Sequence, residues 1–313
     1  MTWKRIFLTL SILEAVLCTL FSLAGYLGGF ERWLELTVHF RFQYLVLSLI
    51  LLIILAIYCQ RKWCLLCLFC ISLNAVEVVP WYINNSEANT PQSDATIEVM
   101  QSNILSSNQN YAEFIDLVRA EKPQILVVQE LNTAWAKELE SISDILPHNF
   151  VLPQENNFGM GIYSSFPLEN QSTKWLTAQI PELIADVEVA GKIINLTAIH
   201  PVPPINESYF YLRNQQLEET SKYLQQSDAL KIVLGDFNLT MWSPIYRRFI
   251  RNTGLVNARL GFGILPTWPT NLLPLRIPLD HCLVSPEITV TDIKVGGDVG
   301  SDHLPLIAEL VIS

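Results

Sequence analysis

Cysteine is nearly missing from most of this 313-residue chain: Cys18, Cys59, Cys64, Cys67 and Cys70 lie near the N-terminus, and only Cys282 follows them. No disulfide can therefore form within the C-terminal two thirds. Cys64, Cys67 and Cys70 have a ligand-like spacing, but at helical pitch in an apolar run cysteine behaves as a small hydrophobe. Basic residues are also scarce. Six of the 20 Lys and Arg and four of the 30 Asp and Glu precede residue 84, leaving 14 against 26 beyond it, a net charge of about −12. Nucleic-acid binding depends on neutralising phosphates with basic groups, so this balance argues against a non-specific nuclease. Internal repeats and low-complexity runs are missing too, as is any Lys or Arg from Trp63 to Val118.

What is abundant is apolar sequence near the start. Ile6 to Phe30, Tyr44 to Cys59 and Trp63 to Ile83 are each near the ~20 residues that span a bilayer. The second extends through Phe40-Arg41-Phe42-Gln43, because an arginine near a helix end can snorkel to the headgroups. The sequence thus predicts a transmembrane anchor over residues 1–83, with spans at about 6–30, 42–59 and 63–83, and a polar linker over 84–94. A soluble domain follows over 95–313. Lys4 and Arg5 with Ser22-Leu23-Ala24 also resemble a signal peptide, but the apolar run is long for one. Lys4, Arg5, Arg61 and Lys62 share one side of a three-span arrangement, and the soluble domain falls on the other, outside the cytoplasm. Glu14 and Glu77 lie within spans, where ionisable groups point to function by default. Glu77 sits near an outer end, however, and Glu14 is within reach of Asn74 on a neighbouring helix, which leaves a transport role with little support.

Beyond the linker, strand-like and helical segments alternate. Thr96–Leu105, Gln124–Gln129, Gly159–Ser164, Lys192–Ile199, Lys231–Leu234, Leu279–Val284, Ile288–Val295 and Leu304–Val311 read as strands. Tyr111–Ala120, Asn132–Ser141 and Glu207–Gln226 read as helices. The mixture implies an α/β or α+β domain with helices covering a sheet.

Several of these strands end in residues of catalytic type: Gln129-Glu130, His200, Gly235-Asp236-Phe237-Asn238 and Leu279-Asp280-His281, with Gly300-Ser301-Asp302-His303 further on. Any one alone reads as a turn residue. In order, together with Asn103 in MQSNIL and the GMGIYSSFPL segment, they resemble the endonuclease/exonuclease/phosphatase superfamily, which includes deoxyribonuclease I, abasic-site endonucleases, neutral sphingomyelinases and inositol polyphosphate 5-phosphatases. The resemblance implies a four-layer sandwich of two packed β-sheets with helices outside, and one site at the rim where strand ends meet. Carried over, it makes Glu130 a ligand of Mg²⁺ or Mn²⁺ with Asn103 and Asp302 close to the metal. His303 becomes the general base or electrostatic partner, oriented by Asp280. Asp236 positions or activates the attacking water, Asn238 holds a phosphate oxygen, and His200 steadies the phosphoryl charge or protonates the leaving group. Hard oxygen ligands suit Mg²⁺, and an Asp-His pair is a sensible base near neutral pH. His281 reads as a flanking or substrate-side residue, or as one that merely packs. Arg213 reads either as a phosphate-gripping substrate-binding residue or as half of a structural salt bridge.

The implied function is membrane-anchored, metal-dependent hydrolysis of a phosphodiester or phosphomonoester. Tethering, acidity and the aromatic segment Gly261–Trp268 favour a lipid headgroup or small molecule over nucleic acid. An extracytoplasmic nuclease and a non-catalytic scaffold are the alternatives. Of five N-x-S/T sequons, those at Asn195 and Asn238 fall in a strand and on the proposed catalytic amide, which favours a bacterial envelope over a secretory pathway.

Overall fold

A computed structural model of the chain describes residues 3–83, 95–177 and 180–312; the expected linker at 84–94 lies outside the described residues. Four helices come first: α1 (Trp3–Ala24), α2 (Arg32–Val38), α3 (Arg41–Ile57) and α4 (Arg61–Val78), with 3₁₀ turns at Gly25–Leu27 and Val79–Tyr82. Glu31 caps α2, its carboxylate accepting the backbone N–H groups of Trp33 and Leu34 at 2.9 and 3.3 Å. Two stretches, Trp3–Leu27 and Arg61–Tyr82, are long and apolar enough to cross a bilayer; α2 and α3 make a pair bent by 62° that adds a third if counted as one broken span. The expected Glu14–Asn74 bond does not form. Asn74 Nδ2 instead donates to Ser22 Oγ at 2.8 Å and Cys70 O at 2.9 Å, because Ser22 sits about two turns further along α1 than Glu14.

The rest of the chain builds two mixed sheets. The strands and helices, in order, are β1 (Ala95–Asn103), α5 (Tyr111–Glu121), β2 (Ile125–Gln129), α6 (Thr133–Glu138), β3 (His148–Leu152), β4 (Met160–Ser164), β5 (Glu169–Thr177), β6 (Ile180–Val189), β7 (Lys192–Ile199), α7 (Glu207–Leu224), β8 (Leu230–Asp236), α8 (Pro244–Thr253), β9 (Val256–Asn257), β10 (Asp280–Val284), β11 (Ile288–Val295) and β12 (Leu306–Ile312). One sheet runs β11-β12-β1-β2-β4-β3 and the other β5-β6-β7-β8-β10-β9. Among the described residues only β1 with β2 and β7 with β8 pair in parallel, each joined by a crossover helix. The four-layer sandwich that the resemblance implied is the observed fold.

Period-two alternation explains where the core sits. Ile97 and Val99 of β1, Ile125 and Val127 of β2, Leu196 and Ala198 of β7, and Ile232 and Leu234 of β8 meet between the sheets. The opposite faces pack under helices: Met100, Leu126 and Val128 against Phe114 and Trp135, and Val233 and Leu283 against Leu217, Ile245 and Phe249. The second of these outer layers also receives Val38 and Val78 from α2 and α4. The N-terminal helices are therefore packed on the sandwich through α2 and α4.

One buried carboxyl lies away from the site. Glu182 of β6 accepts from Thr220 Oγ1 and, at 3.3 Å, from Gln216 Nε2 under α7, while its Oε2 has no partner among the described residues. Burial pushes its pKa up to about 7, against about 4.3 in an unfolded chain. Between those values the unfolded state is ionised and the folded state protonated, so this group costs stability as pH rises from about 4.3 to 7. Glu182→Gln is expected to raise Tm by about 4 °C at pH 8 and to change it little at pH 4. Thermal unfolding at both pH values checks this, and an equal shift at both would remove titration as the cause.

Candidate active site

The same alternation that fills the core also builds the site. Continuing along the inner face, β1 passes from Ile97 and Val99 to Gln101 and Asn103, β2 from Ile125 and Val127 to Gln129, and β8 from Ile232 and Leu234 to Asp236. β10 opens with Asp280, paired directly opposite Asp236, and His200 follows the last residue of β7. The inter-sheet core thus turns polar at one end. Gly235 lets β7 and β8 approach there, since a Cβ on it would lie 1.9 Å from Ile199 O.

The side chains form one connected network. Gln101 Nε2 donates to Gln129 Oε1 at 2.7 Å and Asp280 Oδ1 at 2.8 Å. Asp280 Oδ2 accepts from His303 Nδ1 at 2.8 Å. On its other side, His303 Nε2 lies 3.5 Å from Asp236 Oδ2, and His200 Nε2 lies 3.6 Å from that same oxygen. Asp236 Oδ1 accepts the Asn238 backbone N–H at 2.8 Å. Asn103 Nδ2 bridges Glu130 Oε1 at 3.1 Å and Asp236 Oδ2 at 3.3 Å, and Ser106 N reaches Glu130 Oε2 at 3.1 Å. Glu130 and Asn238 both hold positive φ, 61° and 51°, a conformation that non-glycine residues keep only where the surroundings over-determine it.

The charges follow from this arrangement. Burial alone lowers the pKa of His303, but the carboxylates of Asp280 and Asp236 outweigh it and hold the imidazole well above its usual value. Burial likewise opposes ionisation of Asp280, and His303 overcomes it, keeping that carboxyl below the usual range. His200 is raised as well: Asp236 outweighs the effect of its burial.

Glu130, Asn103, Asp236, Asn238, His200, Asp280 and His303 are all part of this network. Asp302 lies beside it, its Oδ2 accepting from Trp268 Nε1 at 3.0 Å. Asp236, Asp280 and His303 each offer a donor atom within 4.8 Å of the others. A divalent cation fits better at Glu130, however, because Asp280 and His303 are spent on each other. Both Glu130 oxygens accept only one neutral hydrogen bond each, a hard anionic donor set of the kind Mg²⁺ prefers, and Glu130, Asp236 and Asp280 bring three buried acids to one pocket.

Two further residues are engaged in structural contacts. Arg213 is fully buried and salt-bridged to Glu35 of α2, so the structural pairing weighed beside the phosphate grip is the one that forms. His281 packs: its Nδ1 lies 3.0 Å from Asn257 Nδ2 and its Nε2 3.0 Å from Leu239 O. Sequence reading gave no place at the site to Gln101, to Trp268 (named only within the aromatic segment Gly261–Trp268) or to Phe158, whose ring lies 5.8 Å from that of His200. Gln101 was within reach, since a glutamine two residues before Asn103 shares its strand face; Phe158 and Trp268 arrive from loops with no periodic signal.

A two-sheet sandwich whose strand ends gather an Asp–His pair, further acids and an asparagine defines a metal-dependent hydrolase of phosphate esters. The chain belongs to the endonuclease/exonuclease/phosphatase family, whose model matches residues 100–303. No curated protein matches it significantly. Solved structures do. D. rerio TDP2 complexed with single strand DNA product is 20% identical, with 69% of this chain and 99% of that one covered at TM-score 0.58. An endonuclease/exonuclease/phosphatase family protein from Bacteroides thetaiotaomicron is 17% identical over 71% and 99% of the two chains, at TM-score 0.58. The human Nocturnin catalytic domain with bound sulfate anion is 19% identical over 70% and 96%, at TM-score 0.56. Identities this low speak for the fold.

Proposed function

We propose that the chain is a membrane-anchored phosphoesterase. Residues 1–83 anchor it, 84–94 link, and 95–313 hydrolyse a phosphate ester outside the cytoplasm by in-line attack of water. The observation that carries the chemistry is the connected line Asp280–His303–Asp236–Asn103–Glu130 at the polar end of the inter-sheet core. Glu130, with Asn103 bonded to it and Asp302 beside the network, would hold Mg²⁺ or Mn²⁺, which when bound would supply positive charge to the phosphate and leaving oxygens. Asp236 positions the attacking water and accepts its proton as the new P–O bond forms and the leaving oxygen departs. The raised pKa of His303 supports its role as electrostatic partner of the phosphoryl group over that of general base, with Asp280 fixing its ring. Asn238 holds a phosphate oxygen, and His200 protonates the leaving group.

Membrane placement rests on charge and contacts. Phe7 of α1 lies 6.3 Å from Tyr58, which puts Lys4, Arg5, Arg61 and Lys62 at one end of the helices. The sandwich is held at the other, by Glu77 with Arg247 and by Gln43 Nε2 donating to Arg276 O at 3.0 Å. Positive charge on the far end favours a cytoplasmic far end and an inner-membrane protein of a bacterial envelope.

A lipid headgroup or an amphipathic small molecule is the favoured substrate. Past Phe158, whose ring neighbours His200, opens a cleft of about 740 Å³ lined by apolar and aromatic side chains, among them Trp175, Val202 and Leu212, together with the amides Gln154 and Asn156, and with no cationic side chain among its lining residues. The loop after Trp268 exposes Leu272, Leu273 and Leu275 beside the start of α3, a position that suits a bilayer surface. The second reading, a nuclease, draws on the single strand DNA product in the D. rerio structure.

The test is hydrolysis by the full chain in lipid nanodiscs of phospholipids, sugar phosphates, RNA and single-stranded DNA, with Mg²⁺, Mn²⁺ or chelator. Metal-dependent release of phosphate or headgroup from lipid is the expected result, and preference for DNA would select the second reading. No turnover on any substrate, with metal binding confirmed by calorimetry, would leave a scaffold.

A further inference from the structure

The N-terminal helices meet the sandwich at one particular segment, residues 237–243, which follows β8 and carries Asn238. Four attachments hold it. Arg213 Nη1 donates to Asn238 O at 2.9 Å, and Arg213 is itself salt-bridged to Glu35 of α2. Glu35 Oε1 also accepts from Ser243 Oγ at 2.8 Å. His39 Nδ1 and Thr240 Oγ1 share a hydrogen bond of 3.1 Å. Trp242 Nε1 donates to Glu77 O of α4 at 3.0 Å. Three of these four come from the helices preceding residue 84, and the Arg213 guanidinium is neutralised by one of them; inside the sandwich the segment is held further by His281 Nε2 at 3.0 Å from Leu239 O and by Phe237 N donating to Leu279 O at 3.0 Å.

Glu35 and Arg213 are both fully buried. A guanidinium taken out of water without a counter-charge is strongly unfavourable, so Arg213 can stay at the back of Asn238 only while Glu35 faces it. Asn238 in turn sits at φ 51°, a conformation uncommon for a side-chain-bearing residue, and its amide is aimed by a bond from Nδ2 to Pro201 O at 2.9 Å. Two bonds hold the peptide there. Asp236 Oδ1 fixes the N–H, and Arg213 fixes the carbonyl.

We infer that Glu35 is a positioning residue for the phosphoesterase site, acting through Arg213 on Asn238, so that the N-terminal helical segment completes the catalytic unit as well as tethering it. This rests on the reading of Asn238 as a phosphate-binding residue. The 95–313 segment taken alone would carry Arg213 without its counter-charge and would uncover Met241, Trp242 and Ile245, which pack in one cluster with Val38 and Val78.

The experiment is a double-mutant cycle on the full chain in nanodiscs, with Glu35→Gln and Asn238→Gly, using Mg²⁺ and bis(4-nitrophenyl) phosphate as the probe. Glycine removes the amide while tolerating positive φ. Glu35→Gln is expected to lower kcat about tenfold with little change in KM, as a small misplacement of a binding group does. In the Asn238→Gly background the same change is expected to cost almost nothing more, because the side chain it aims is gone. A purely structural Glu35 gives the same loss in both backgrounds, and that result, or an unchanged kcat, overturns the inference. Should Glu35→Gln fail to fold, Thr240→Val, which unties His39 from the same segment, takes its place in the cycle with the same two outcomes. Hydrogen exchange provides an arm independent of turnover: residues 237–243 exchange faster in the Glu35 or Thr240 variant while β2 is unchanged, and unaltered exchange there sinks the inference. If Asn238→Gly by itself leaves kcat intact, the reading of the site has failed, and the exchange arm still decides whether the clamp exists.

Discussion

His303→Ala is expected to lower kcat by about 10³-fold, the middle of the range for a positioned acid–base or charge-stabilising group, with KM much less affected. The imidazole touches both carboxylates that define the centre of the site, Asp280 at 2.8 Å and Asp236 at 3.5 Å. Removing it takes positive charge from beside the phosphoryl group and leaves two buried acids facing each other. The second consequence separates this variant from an ordinary deletion. Without the imidazolium, burial of Asp280 is no longer opposed and its carboxyl moves toward the protonated form, so residual activity is expected to fall rather than rise as pH is lowered from 8 to 6. Steady-state kinetics of the full chain across that range provides the check. A variant that keeps a tenth or more of wild-type kcat would remove His303 from the reaction.

Glu130→Gln is expected to have the second large effect, through the metal. The carboxylate is held by neutral donors only, Asn103 Nδ2 and Ser106 N, each at 3.1 Å, so its charge is available to a cation. The amide keeps the size and one acceptor but loses the charge. At about millimolar Mg²⁺ activity should drop by 100-fold or more, since metal-bound charge is worth several kcal/mol to phosphoryl transfer. Part of it should return as metal is raised, because the loss lies in affinity. Titrating activity against Mg²⁺ in both proteins tests this: an unchanged half-saturation point would place the metal elsewhere, with the trio Asp236, Asp280 and His303 as the next candidate.

The strands and the site were legible in the sequence for one shared reason. Alternating apolar residues that end abruptly in Gln129-Glu130, His200 or Asp236 report both a strand and what it delivers, because a strand hands its last inward side chain to a fixed place. What stayed hidden depends on distant partners. Arg213 sits at helical spacing from Gln216, and nothing within α7 says that its counter-charge is Glu35, 178 residues away in sequence. Helix α2 is seven residues long, too short for a periodic pattern, and it lay between two apolar runs that dominated the reading. Helix α8 buries Ile245, Tyr246 and Phe249 but reads locally as a run of arginines, and β5 carries too many polar residues to stand out as a strand.

Asn103, Gln129, Asp236 and Asp280 stand at the tips of strands whose other ends are hydrophobic core, so the centre of the site is set by the sheets themselves. Chemistry and folding stability are inherited together, strand by strand. Choice of substrate is left to the rim, where the segments carrying Phe158, Pro201 to Ile205 and Trp268 to Arg276 belong to neither sheet. Those segments can be lengthened, emptied or greased without disturbing the reacting atoms, and this division of labour is how chains sharing only a fifth of their residues can keep one framework while serving unlike substrates.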